Sequence, residues 1–143
     1  MENISKLLHI PPLPTFAKLG SMNWSRIAAS ALGIAVILGA FGAHGLKGRI
    51  DTYAMDLYQK AVFYHFIHAL GMLVTSTLPK SGALSSKSAA RICTLFAAGI
   101  VLFSGSLYLL ALSGVTVLGA ITPIGGLAFI VAWFLLAWSL PSS

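Results

Sequence analysis

Residues Ile92–Ala111, ICTLFAAGIVLFSGSLYLLA, run for twenty positions without a Lys, Arg, Asp or Glu. A helix rises about 1.5 Å per residue, so a stretch of this length crosses a hydrocarbon layer of about 30 Å. The same reading extends outward to Ile27–Ala43, Ala61–Leu78 and Leu118–Leu140, each also free of Lys, Arg, Asp and Glu. The chain has 143 residues, 57% of them hydrophobic and 8% charged. Soluble domains carry about 25% charged residues, so this chain has too little polar surface to cover four helices in water. The fold expected is an all-α integral membrane four-helix bundle with short loops.

The expected organisation is an N-terminal tail over 1–22, a four-span domain over 23–140 and a tail over 141–143, with spans near 24–45, 59–78, 91–112 and 118–140. In the tail, Ile4, Leu7 and Leu8 suit one short amphipathic turn before Pro11, Pro12 and Pro14 stop it. The first span is longer than a signal-peptide core and is studded by Gly39, Gly42 and Gly45, so it is read as uncleaved. Between spans 1 and 2, Ile50, Tyr53, Leu57 and Tyr58 recur at helical spacing, which predicts a short helix lying in the interface. Thr122-Pro123 reads either as an N-cap followed by proline in the first turn or as a kink inside a longer span.

The net charge of +6 is spread over the span ends. With four crossings, Lys6, Lys18, Arg26, Lys80, Lys87 and Arg91 share one side, against Lys47, Arg49 and Lys60 on the other. Six against three favours cytoplasmic termini in a bacterial inner (plasma) membrane, or the equivalent side of an organelle membrane in a eukaryote. There is no basic stripe with interleaved aromatics, so nucleic acid is not an expected partner. The lipid bilayer is, together with other membrane subunits or further copies of the chain. Cys93 is the single cysteine and pairs with no other in the chain.

The unusual side chains gather at one depth. His44 closes span 1, His65 and His68 open span 2, Ser104, Ser106 and Tyr108 lie late in span 3, and Thr122 begins span 4. Unpaired polar groups are costly in lipid, so these are expected to turn inward. His44, His68, Ser104 and Thr122 form the candidate buried polar cluster, while Gly39, Gly42, Gly125 and Gly126 are candidate packing positions at which backbones approach closely. Histidines at i and i+3 also suit a metal or haem, yet no carboxylate or cysteine lies near them in sequence to complete three or four ligands. A proton relay has a start in His44, His65 and His68 but no buried acid to follow. Ser104 and Ser106 have no acid to orient a histidine base, and the glycine-rich run near His44 follows no strand, so neither a nucleophilic triad nor a phosphate cradle is indicated. No cofactor, metal or catalytic residue is assigned.

Four ordered motifs then carry a resemblance. They are Gly39-Ala-Phe-Gly-Ala-His-Gly-Leu46, Tyr64 with His68-Ala-Leu70, Phe103-Ser-Gly-Ser-Leu-Tyr108 and Gly119-Ala-Ile-Thr-Pro-Ile-Gly-Gly126. Their order resembles the small four-span membrane proteins of unknown function that include bacterial YgdD and eukaryotic transmembrane protein 256, over about residues 27–138. The resemblance implies a four-helix membrane bundle and brings no catalytic or binding residues. The chain departs from the pattern after Val62, where Phe63-Tyr64-His65 stands in place of a basic residue and Tyr-Gln, so the resemblance gives His65 no family role. The expected function is that of a non-enzymatic structural, accessory or assembly subunit. The alternatives are an oligomeric proton or small-molecule pathway, and a haem- or quinone-bearing redox subunit.

Overall fold

A computed structural model of the chain describes residues 23–141; the expected tail over 1–22 and residues 142–143 lie outside the described residues. Four helical rods are long and apolar enough to span a bilayer: Trp24–Leu46, Thr52–Ser81, Ser86–Ser113 and Thr116–Ser139, here spans 1 to 4. Span 1 is helix α1 (Trp24–Ala40) continued by a π-helical turn over Phe41–Leu46. Span 2 is α2 (Thr52–Thr77) closed by a 3₁₀ turn over Leu78–Ser81. Span 3 is α3 (Ser86–Gly99), a second π-helical stretch over Ile100–Ser104, and α4 (Gly105–Ser113). Span 4 is a 3₁₀ turn over Thr116–Ala120 followed by α5 (Thr122–Ser139).

Local chemistry sets these boundaries. The Oδ1 atoms of Asn23 and Asp51 accept from Arg26 N and Ala54 N at 3.3 and 2.8 Å, and Ser85 Oγ accepts from Ser88 N at 3.0 Å. Each fills one of the backbone donors left over in a first helical turn. Spans 2 and 3 end at Gly82 and Gly114, whose φ of 75° and 70° is the left-handed stop that a residue without Cβ adopts freely.

Two boundaries differ from the sequence expectation. The separate interfacial helix expected between spans 1 and 2 is instead the first turns of α2, which runs unbroken from Thr52. With Asp51 as cap and neither Gly nor Pro between 52 and 70, nothing stops the helix there. Its apolar side also turns to the bundle, since Tyr58 is 1% exposed and Ala54 and Leu57 pack beside it. Span 3 starts at Ser86, ahead of the expected 91, because Ser85 caps a polar first turn that projects beyond the apolar stretch. At span 4, Pro123 falls in the first turn of α5, where its missing N–H costs nothing.

Successive spans run antiparallel. Ser25 Oγ meets Ser76 Oγ at 2.9 Å across spans 1 and 2, Cys93 Sγ reaches Met72 O at 3.6 Å across spans 2 and 3, and Ser106 Oγ meets Thr122 Oγ1 at 2.8 Å across spans 3 and 4. The larger apolar core lies toward the Trp24 end, where Ala28, Met72, Ile92, Phe96, Phe129 and Leu136 meet. A smaller one of Leu46, Tyr58 and Ala111 lies at the His44 end. The outside is apolar too: Ile37, Phe63, Val101 and Phe134 are 61–70% exposed. Such a surface would aggregate in water and is what hydrocarbon requires.

Candidate functional site: a polar level inside the bundle

Span 2 organises the polar level. Residues Ala61, His65, His68, Met72 and Thr75 follow at three- and four-residue steps and are all buried, whereas Phe63, Phe66, Leu70 and Val74 on the opposite side are exposed. His68 is 6% exposed. Its Nδ1 lies 2.7 Å from Tyr64 O, one turn earlier, and its ring stacks on Phe129 with centroids 3.4 Å apart and planes 11° apart. Phe96, Trp133 and Tyr64 close the surrounding aromatic box. The Nδ1 atom is therefore committed to its own helix, and the ring serves as a flat packing surface.

His65 lies a turn nearer the His44 end. Its Nδ1 is 3.4 Å from Tyr108 Oη of span 3, a long contact. The Tyr108 ring meets the Tyr58 ring edge-on at 5.1 Å, and Tyr58 Oη donates to Leu38 O of span 1 at 2.9 Å. One line of groups thus ties spans 1, 2 and 3. Tyr58 was visible in the sequence only as a member of a loop helix; the clue to its burial was its place one turn before Ala61 on the inward stripe.

The two π-helical stretches pack on span 2 at different points, one beside Tyr58 and the other beside Tyr64. Such turns widen a helix locally and concentrate at functional positions. The stretch over Ile100–Ser104 brings the backbone of Leu102 and Phe103 against Gly125 of α5: a Cβ at 125 would stand 2.8 Å from Leu102 C and Phe103 Cα. The stretch over Phe41–Leu46 brings Gly42 against the Tyr58 ring, 2.7 Å from such a Cβ. Gly39 and Gly126 are looser, with the nearest atoms at 3.4 and 3.6 Å.

The four residues of the candidate cluster have different surroundings. Thr122 pairs with Ser106, so its hydroxyl bridges spans 3 and 4 and does not cap α5. Ser104 is fully buried and its Oγ has no partner among the described residues. His68 sits in the aromatic box, and His44 is exposed on the π-helical turn of span 1. No hydrogen bond joins any two of these four among the described residues. Among the described residues, no three or more His, Cys, Asp or Glu side chains are grouped so as to hold a metal ion.

The fold and its lining define a small multispan membrane protein whose interior hydroxyls and imidazoles sit between helices. A family model described as a protein of unknown function (DUF423) matches residues 38–126, and the chain belongs to that family. It is 48% identical over 104 residues to the UPF0382 membrane protein YwdK of Bacillus subtilis, covering 72% of this chain and 83% of that one. A UPF0382 membrane protein of Staphylococcus epidermidis is 43% identical over 124 residues, covering 87% and 93%. One of Staphylococcus haemolyticus is 45% identical over 98 residues, covering 68% and 78%. No solved structure matches.

Proposed function

We propose that this protein is a non-enzymatic accessory or assembly subunit, which lends span 1 to another membrane-embedded helix. The observation that carries the reading is how lopsidedly span 1 is packed. In its most apolar stretch 17% of residues are buried inside the bundle, against 22% in span 4 and 39% in spans 2 and 3. Span 1 leans on α2, and its other side presents Ala29, Ser30, Gly33 and Ala40, together with the larger Ile34, Val36 and Ile37, to the surroundings. A Cβ at Gly33 would meet nothing within 4 Å. Small residues at a helix surface let a second backbone come close, the main source of helix association in lipid. The interior polar groups support the same reading, since Ser106 with Thr122, Tyr58 with Leu38 O, and Ser25 with Ser76 are occupied in joining spans.

The orientation that goes with this reading has both termini on the cytoplasmic side, from the excess of Lys and Arg at that end. The decisive experiment is affinity purification from native membranes in a gentle detergent, comparing the wild type with Gly33→Leu. A discrete membrane partner or a defined homo-oligomer, lost in Gly33→Leu, supports the proposal. A chain recovered monomeric and alone in both forms overturns it.

The competing reading is a proton or small-molecule pathway through an oligomer, favoured by the Tyr58, Tyr108 and His65 line. Liposome flux separates the two: background flux for wild type and His65→Leu alike leaves the accessory role, and flux lost on substitution replaces it.

A further inference from the structure

At the His44 end, a cleft of about 590 Å³ opens between the beginning of α2 and the turn that joins spans 3 and 4. Exposed Arg49, Asp51 and Thr116 border it, and half-buried Leu57 and Leu110 with buried Ala111 line it more deeply. It is thus charged where it meets the interface and apolar within.

The two charged side chains on its border differ in occupation. Asp51 spends Oδ1 on the Ala54 N–H at 2.8 Å, as the cap of α2. The Arg49 guanidinium has no ion pair and no side-chain hydrogen bond among the described residues, where the ion pair found is Lys60 with Asp56. Arg49 is also held in place. Its backbone N donates to Leu46 O at 2.9 Å, in a turn made possible by Gly48 at φ 75°. Lys47, two residues earlier, adds a second positive charge. On the far side, Gly114 and Gly119 line the cleft and leave it open; a Cβ at 119 would lie 3.6 Å from Leu110 Cδ2.

We infer that this cleft binds one anionic glycerophospholipid, with its phosphate on Arg49 and the first part of an acyl chain between Leu57, Leu110 and Ala111. Three properties on the page select this occupant. The guanidinium fork matches phosphate oxygens two at a time, and among the described residues no carboxylate pairs with it. The cleft lies where span 2 begins, span 3 ends and span 4 begins, at headgroup depth. Its inner wall is apolar, which a free anion would not use and an acyl chain would. The inference rests on residues outside span 1 and does not depend on that proposal.

Native mass spectrometry of the purified full-length chain tests it, with phosphatidylglycerol, phosphatidylcholine of the same acyl composition and inorganic phosphate as probes. One phosphatidylglycerol should be retained per chain, about tenfold more tightly than phosphatidylcholine, whose phosphate is the same but whose choline cation meets the positive charge of Arg49 and Lys47. Arg49→Gln should remove that preference, while Lys80→Gln at the other end of the bundle leaves it intact. Gly119→Leu, which fills the cleft without touching the charge, should weaken retention of the lipid. Helical circular dichroism of each variant confirms folding before the comparison. Equal retention of the two lipids, no change in Arg49→Gln, or displacement by millimolar inorganic phosphate would overturn the assignment.

Discussion

Gly125 of α5 lies against the backbone of Phe103 so closely that a Cβ at 125 would stand 2.8 Å from Phe103 Cα. Side chains can rotate away from an intruder, whereas a backbone must move as a whole. This contact sets the spacing between spans 3 and 4 at the depth where span 3 is π-helical.

Gly125→Ala should therefore destabilise the bundle by about 1–3 kcal/mol, the usual cost of overpacking a filled site. Gly126→Ala is the matched control, since a Cβ there would meet the Phe103 ring at 3.6 Å, an ordinary contact. Its effect should stay within about 0.5 kcal/mol, as for substitutions that break no special feature. Reversible unfolding in bicelles against a denaturing detergent measures both. Equal, small losses in the two variants would show that the close approach does not set the span spacing.

The Ser106–Thr122 bond is open to a double-mutant cycle. Ser106→Ala, Thr122→Ala and the double variant should give a coupling of about 0.6 kcal/mol, up to about 1.7. Ser106 Oγ also reaches Phe103 O at 3.0 Å, so the Ser106→Ala loss should exceed the Thr122→Ala loss. A coupling of zero would place the two hydroxyls on separate partners.

Tyr58→Phe should cost about 1 kcal/mol, the net worth of the hydrogen bond to Leu38 O. The ring stays, so the edge-on contact with Tyr108 is retained. Tyr58→Ala removes both and should cost about 3–5 kcal/mol, as for other buried aromatics. The same unfolding assay reads both changes. A Tyr58→Phe variant as damaging as Tyr58→Ala would shift the weight from packing to the hydroxyl.

The parts of this architecture legible in the sequence were those set by solvent. Four long runs without charge determine four crossings, because length and apolarity alone decide whether a helix spans. The inward side of α2 was legible for a related reason: His65, His68 and Thr75 are too polar to face lipid. What escaped were features of backbone geometry. The two π-helical stretches have no composition of their own, so nothing in Phe41–Leu46 or Ile100–Ser104 announced them. The first turns of α2 carry Asp51, Asp56 and Lys60 and read as a surface segment, while the buried side of those turns rests on Tyr58. The surroundings of the candidate cluster escaped for a further reason. Position along a span gives depth only coarsely: His44 lies beside the Gly42–Tyr58 contact near the end of span 1, whereas His68 lies ten residues beyond Tyr58 along α2, among Phe96, Phe129 and Trp133.

The most direct measurement is labelling by a membrane-impermeant maleimide in sealed vesicles of known orientation. Single cysteines are introduced at exposed positions by Lys47→Cys, Lys87→Cys, Thr116→Cys and Ser139→Cys, in a Cys93→Ser background. Four crossings require Lys47→Cys and Thr116→Cys to label from one side, with Lys87→Cys and Ser139→Cys labelling only from the other. Labelling of positions 47 and 87 from the same side, or of all four from both sides of intact vesicles, would contradict the four-span bundle.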